Sequence, residues 1–108
     1  MSYSDPLQVR YECNATFKKR SIKFIFQPMS TDSIYSNMKK RIKEEFEDVL
    51  EEIDADSIDF TIKGIDFKIK NDSDFKYALE KLVNDKKHNF VMTISTCMYI
   101  LLLFFLYI

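Results

Sequence analysis

Glycine and proline are almost missing from this chain, with one Gly and two Pro in 108 residues. That argues against a low-complexity linker or a disordered arm, which need those residues in quantity. Tryptophan is absent, and the one histidine, His88, sits beside Lys86 and Lys87 in a polar stretch with no nucleophile placed to use it. There is no GxSxG, no glycine-rich phosphate loop and no HExxH. The carboxylates run in blocks rather than as an isolated pair, which is surface behaviour more than general acid–base chemistry. These absences argue against an enzyme, a cofactor and a metal site. The two cysteines, Cys13 and Cys97, lie far apart without a CxxC pattern and read as free thiols in a reducing compartment. Asn14-Ala15-Thr16 fits a glycosylation sequon, but the N-terminus has no signal-peptide pattern, so the match reads as chance.

What is present is apolar and charged. Hydrophobic residues make up 46% and charged residues 31%, enough to build the core of one domain at this length. The net charge of −1 conceals a segregation. From Arg10 to Lys43 nine Lys/Arg face two acids, Glu12 and Asp32, whereas from Glu44 to Asp59 there are nine acids and no base. From Phe60 to His88 seven lysines face five acids, and the last 20 residues carry no charged side chain. A nucleic-acid binder carries a net basic excess, and this chain has none.

Periodicity divides the chain into strands and helices. Leu7, Val9 and Tyr11 alternate with Gln8, Arg10 and Glu12 as a first strand, and the polar stretch from Asn14 to Arg20 suits a hairpin connection. Ile22, Phe24 and Phe26 form a second strand that Pro28 ends. Polar residues from Ser30 to Ser33 can cap a helix in which Ile34, Met38, Ile42 and Phe46 recur every four residues, with Lys39, Lys40, Arg41 and Lys43 on the other faces. The first part of FEDVLEEIDADS can extend that helix through Leu50 or Ile53, while IDADS reads as a turn. Ile58, Phe60 and Ile62 make a third strand, and Lys63-Gly64 predicts a tight hairpin into a fourth at Phe67 and Ile69. Asn71 caps a second helix carrying Phe75, Ala78, Leu79 and Leu82, and Phe90, Met92 and Ile94 alternate as a fifth strand. The order implies an α+β, ubiquitin-like β-grasp roll, a five-stranded mixed sheet with two helices. The domain spans residues 1–96, followed by a hydrophobic tail, 97–108.

Three stretches, VRYECNATFKKRSIKFIF, the helix after QPMSTDS, and FKIKNDSDFKYAL, resemble a Phox and Bem-one (PB-one) domain. Within that family the chain is most similar to the N-terminal domains of mitogen-activated protein kinase kinase kinases. The resemblance implies a protein-interaction module. Acidic-type members carry an Asp/Glu run between strands three and four, where this chain has Thr61-Ile62-Lys63-Gly64-Ile65, so the resemblance is to the basic type. Arg10 matches the basic position of strand one and Lys23 that of strand two, with Lys19 and Arg20 flanking. Asp66, Asp72 and Asp74 leave a weak acidic face at most. The implied partner is an acidic-type PB-one protein, a protein kinase among the candidates, in the cytoplasm.

Independently of the family, Arg10 and Lys23 fall opposite the apolar residues of their strands, so both are expected on one exposed basic face. Such a face steers and holds an acidic partner through charge-assisted hydrogen bonds. The block from Glu44 to Asp59 admits two readings, a second surface for head-to-tail association or a solvated helix end.

From Phe90 to Ile108 the sequence reads FVMTISTCMYILLLFFLYI, 19 residues without charge, close to the roughly 20 a membrane helix needs. Lys86, Lys87 and His88 precede it, as in a tail anchor with its N-terminal domain in the cytosol. The same residues, Phe90 to Ile94, are required as the last strand. Three readings follow: a membrane anchor behind a shorter strand, a cover for a partner surface, or a misplaced exon boundary in a longer signalling protein. The alternative function is accordingly a small tail-anchored membrane protein with a cytosolic β-grasp head.

Overall fold

The computed structural model describes residues 5–28 and 33–96. Four strands, β1 (Tyr11–Phe17), β2 (Arg20–Phe26), β3 (Ile58–Ile62) and β4 (Asn89–Thr96), form one sheet in the order β2-β1-β4-β3. The central pair β1 and β4 is parallel, and each has an antiparallel neighbour at the edge. Three helices, α1 (Ile34–Glu45), the short α2 (Glu47–Leu50) and α3 (Asp72–Asn84), complete the α+β arrangement. It is the expected mixed roll with four strands instead of five and one extra short helix.

The inward rows of the sheet are Tyr11, Cys13, Ala15 and Phe17 on β1, Phe24 and Phe26 on β2, Ile58, Phe60 and Ile62 on β3, and Phe90, Met92 and Ile94 on β4, all buried. They meet Met38 and Ile42 of α1 and Phe75, Ala78 and Leu79 of α3, each at 0% exposure. Phe75 sits between the layers, its ring 6.0 Å from Phe26 and 5.3 Å from Phe60. The opposite face of the sheet is open among the described residues: Glu12, Ser21, Lys23, Ile25, Val91, Thr93 and Ser95 are all exposed.

The first strand begins later than its apolar periodicity implied. Pro6–Gln8 is a single 3-10 turn, capped by Asp5, whose Oδ1 accepts the Leu7 N–H at 3.0 Å. Alternation then runs through small residues, Cys13 and Ala15, to Phe17, and the expected connection from Asn14 onward is strand. The hairpin turn is only Lys18-Lys19, with Lys18 at φ 56.

The expected fourth strand does not form. Phe67 is half-buried, Ile69 buried, and Lys68 and Lys70 exposed, so the alternation is real. Alternation, however, reports which side chains face a core, not whether a neighbouring backbone is free to pair. The Lys63-Gly64 turn forms, with Gly64 at φ 93 and Ile65 N–H donating to the Ile62 carbonyl at 3.1 Å. The Lys70 N–H then donates to Asp74 Oδ2 at 3.0 Å, which takes the chain into the helix cap rather than into a ladder.

The first helix stops at Phe46, whose φ −109 and ψ 36 leave the helical region, and α2 follows as a separate turn. Phe46 itself is buried, 6.1 Å from Phe17 ring to ring. The start of α3 is as its sequence indicates, with Asn71 Oδ1 accepting the Asp74 N–H at 2.9 Å.

In the uncharged C-terminal stretch, Phe90 to Thr96 belong to β4, which excludes one continuous helix over those 19 residues. Among the described residues no helix is long and apolar enough to cross a membrane. The tail 97–108, with Cys97, lies outside the described residues, as do the residues from Ser30 to Asp32 expected before α1.

Candidate interaction surface

β2 is an edge strand, and bases gather along it from both sides. Lys23 points to the open face, in register with Asn14 of β1. Arg20 belongs to the inward row and reaches the helical layer, where its guanidinium pairs with the Asp48 carboxylate of α2. That hydrogen bond holds the Asp48 carboxyl below the ordinary carboxylate range. Arg41 of α1 covers the Phe24 ring at 4.9 Å and donates to Glu45 Oε1 at 3.1 Å. Lys19 is exposed in the hairpin turn, and Lys18 Nζ lies 5.4 Å from the centroid of the Phe17 ring.

Arg10 does not join this group. It precedes β1 rather than lying in it, and Lys23 is opposite Asn14, four residues further along. At about 3.3 Å per residue the two are offset by roughly 13 Å along the strand direction. The outward residues of β1 are Glu12, Asn14 and Thr16, which include an acid and no base. The sequence pattern places Arg10 inside the first strand, and the structure places it one residue before β1, exposed like Lys23. Lys19 and Lys23 remain on or beside the β2 edge, Arg20 is there but paired inside the molecule, and Arg41 is an addition. Arg41 was assigned to the solvent side of its helix, and only its packing on Phe24 reveals its place.

Lys39 is a second departure from the helix pattern. It is 7% exposed, with Nζ 4.8 Å from the Tyr35 ring and donating to the Asp56 carbonyl at 3.1 Å. Its charge ties α1 to the turn before β3 and is not available to a partner.

The three aspartates of the weak acidic face are partly engaged. Asp72 Oδ1 accepts the Ser33 hydroxyl at 2.7 Å and the Tyr35 N–H at 2.9 Å, Asp74 caps the loop at Lys70, and Asp66 is exposed. Two of the nine acids between Glu44 and Asp59 pair with bases of the β2 edge, Asp48 with Arg20 and Glu45 with Arg41. The charge segregation of the sequence is thus partly closed on itself.

No cluster of three or more His, Cys, Asp or Glu suited to a metal exists among the described residues. Cys13 is 1% exposed and burial pushes its thiol up to about 12, so it is not a nucleophile at neutral pH. The Tyr11 hydroxyl, buried and donating to the Pro6 carbonyl at 2.7 Å, is also raised, by burial first and by the charge of Asp5 second.

No protein-family model matches the chain, and no curated protein sequence matches it. A solved structure described as "AtNBR1-PB1 domain" does. It aligns with a TM-score of 0.57 at 12% sequence identity, over 82% of this chain and 98% of that one. The fold is PB1-like. At this identity the likeness concerns the backbone arrangement, over most of the chain rather than one motif.

Proposed function

We propose that this chain is a protein-interaction module that binds an acidic-type PB1 domain through the basic edge of its sheet, in the cytoplasm and within a kinase signalling assembly. The observation that carries the reading is the placement of Lys23 on one side of edge strand β2 and of Arg20 and Arg41 on the other, with Lys19 at its end. Among the described residues Lys23 and Lys19 present the unpaired positive charge of this edge, whereas Arg20 and Arg41 are ion-paired with Asp48 and Glu45. Charge of this kind raises the association rate and selects the partner's sign. The PB1-like fold supports the choice of partner class, and the absence of a basic residue among the outward positions of β1 narrows the contact to β2. Arg10, offset along the strand, contributes at the periphery.

The test is a calorimetric titration of the full chain with a PB1 domain that carries an intact acidic cluster. Lys23→Glu and Lys19→Glu are run beside the wild type after their folds are checked by circular dichroism. Micromolar or tighter binding that weakens as salt rises, and that drops about tenfold or more in Lys23→Glu, is the expected result. Equal binding by wild type and both reversals overturns it.

A further inference from the structure

The open face of the sheet is not uniformly basic beside β2. Two adjacent rungs cross it, Ile25–Glu12–Asn89 and Lys23–Asn14–Val91, and together they line a depression of about 420 Å³. Three features of it are unmatched among the described residues. Ile25 and Val91, each 40% exposed, stand at opposite corners and are two of the four large hydrophobic side chains exposed among the described residues. The Asn14 Oδ1 atom is shut off from solvent and has no hydrogen-bond partner. No Lys or Arg among the described residues lies within ion-pair distance of Glu12, although Lys23 is on the next rung.

A buried acceptor without a donor is costly, and native proteins keep few of them. The terminal torsion of an asparagine is soft, so Asn14 can turn its carbonyl toward a donor as soon as one is offered. Beside it stands a carboxylate, and apolar groups flank both. Two acceptors, one of them anionic, between hydrocarbon walls describe the complement of a long cationic side chain: an apolar stem with several donors at its tip.

We propose that the depression receives an arginine side chain of the partner. Its stem lies against Ile25 and Val91, and its guanidinium donates to the Glu12 carboxylate and to the Asn14 carbonyl. Lys23, at the rim, takes an acid two residues away on the same partner strand, since alternate residues of a strand share a face. Only this last contact rests on the basic-edge reading. Glu12 is then a specificity determinant: it repels a partner surface that is acidic throughout and favours one in which a base sits between acids.

The experiment is an NMR titration of the full chain with three capped pentapeptides, Ac-EVRVE-NH2, Ac-EVQVE-NH2 and Ac-EVEVE-NH2. Wild type is compared with Glu12→Gln and with Ile25→Ser, both altered at exposed positions. The expected result is saturable shifts of the Ile25 and Val91 methyls and of the Asn14 side-chain amide with the arginine peptide. Binding should weaken about tenfold in Glu12→Gln and for the glutamine peptide, and should also weaken in Ile25→Ser. If the arginine peptide leaves those three groups unmoved, or binds Glu12→Gln as tightly as wild type, the depression is not an arginine site. The all-glutamate peptide reads the basic edge separately: shifts at Lys19 and Lys23 without shifts at Asn14 support that edge and leave the arginine result to stand or fall by itself. Silence at Lys19 and Lys23 with all three peptides counts against the basic edge instead.

Discussion

The Oδ1 atom of Asp72 accepts the backbone N–H of Tyr35 at 2.9 Å, a contact across 37 residues of chain. The same atom accepts the Ser33 hydroxyl at 2.7 Å, while Ser33 Oγ accepts the Ser36 N–H at 3.2 Å. One carboxylate at the start of α3 therefore finishes the cap of α1, and the positive ends of two helices share it.

Replacing Asp72 by Ala removes two acceptor contacts from a helix start. The expected loss is about 1 kcal/mol, the usual worth of a helix cap, with Asp72→Asn in between because the amide oxygen keeps the geometry without the charge. Urea denaturation monitored by far-ultraviolet circular dichroism measures it. An unchanged midpoint for the alanine variant would show that water replaces the carboxylate at no cost.

Asp48→Ala separates the two roles of Arg20. The pair is half-exposed on both sides, so its removal should change stability very little. It frees a guanidinium at the β2 edge, and affinity for an acidic PB1 domain should rise a few-fold, most visibly at low salt. Arg20→Glu should lower it. Calorimetry on the two variants decides; a fall in affinity for Asp48→Ala would mean that the pair positions Arg20 rather than neutralising it.

Alkaline pH should unfold the protein through two buried acids. Burial raises the Cys13 thiol from 9.0 to about 12 and moves the Tyr11 hydroxyl well above 10.0. The unfolded chain therefore loses these protons first and binds fewer than the native state above about pH 9. The stability from these groups is complete below that pH and declines as pH rises toward 12. Denaturant midpoints collected between about pH 8 and pH 12 should fall steadily, and a flat profile would contradict the burial of both groups. Thiol labelling with peptide mapping gives a second reading: Cys13 should react only when the protein unfolds, whatever Cys97 does.

Phe75 bridges the sheet and α3 at 0% exposure, so Phe75→Ala should cost about 3–5 kcal/mol and Phe75→Leu markedly less. For a domain of ordinary stability the alanine variant is near the unfolding threshold at 37 °C. Thermal melts of both variants check the order, and equal melting temperatures would show that the core collapses around the deletion.

Much of the fold was legible in local pattern. Ile58, Phe60 and Ile62 alternate as β3, Phe90, Met92 and Ile94 as β4, and Asn71 stands at the cap of α3 with Phe75, Ala78, Leu79 and Leu82 inward. These segments are strongly periodic and their apolar residues are large. β1 was misplaced because its inward residues Cys13 and Ala15 carry a weak apolar signal, whereas Leu7 and Val9, in a turn capped by Asp5 and in the segment after it, imitate a strand. The missing fourth strand shows the same limit from the other side: Phe67 and Ile69 pack inward without pairing.

The candidate surface was less legible, because it depends on register. Arg10 falls just before β1, and it is Glu12 and Asn14 that stand opposite Ile25 and Lys23. Arg20, Lys39 and Arg41 look alike in sequence as solvated cations. Their fates differ because Asp48, Asp56 and Phe24 come to them from other elements.

By itself, then, the sequence determined the class of the fold, the positions of its most periodic strands and helices, and the segregation of charge into a basic and an acidic stretch. Those follow from side-chain spacing and local capping, which act over a few residues. Only the tertiary structure decided which charges neutralise one another, which lysine is buried, and that an acid and an unpartnered amide sit beside the basic edge. Those outcomes depend on strand pairing and helix docking between residues far apart in the chain, and on which groups reach each other once water has been excluded.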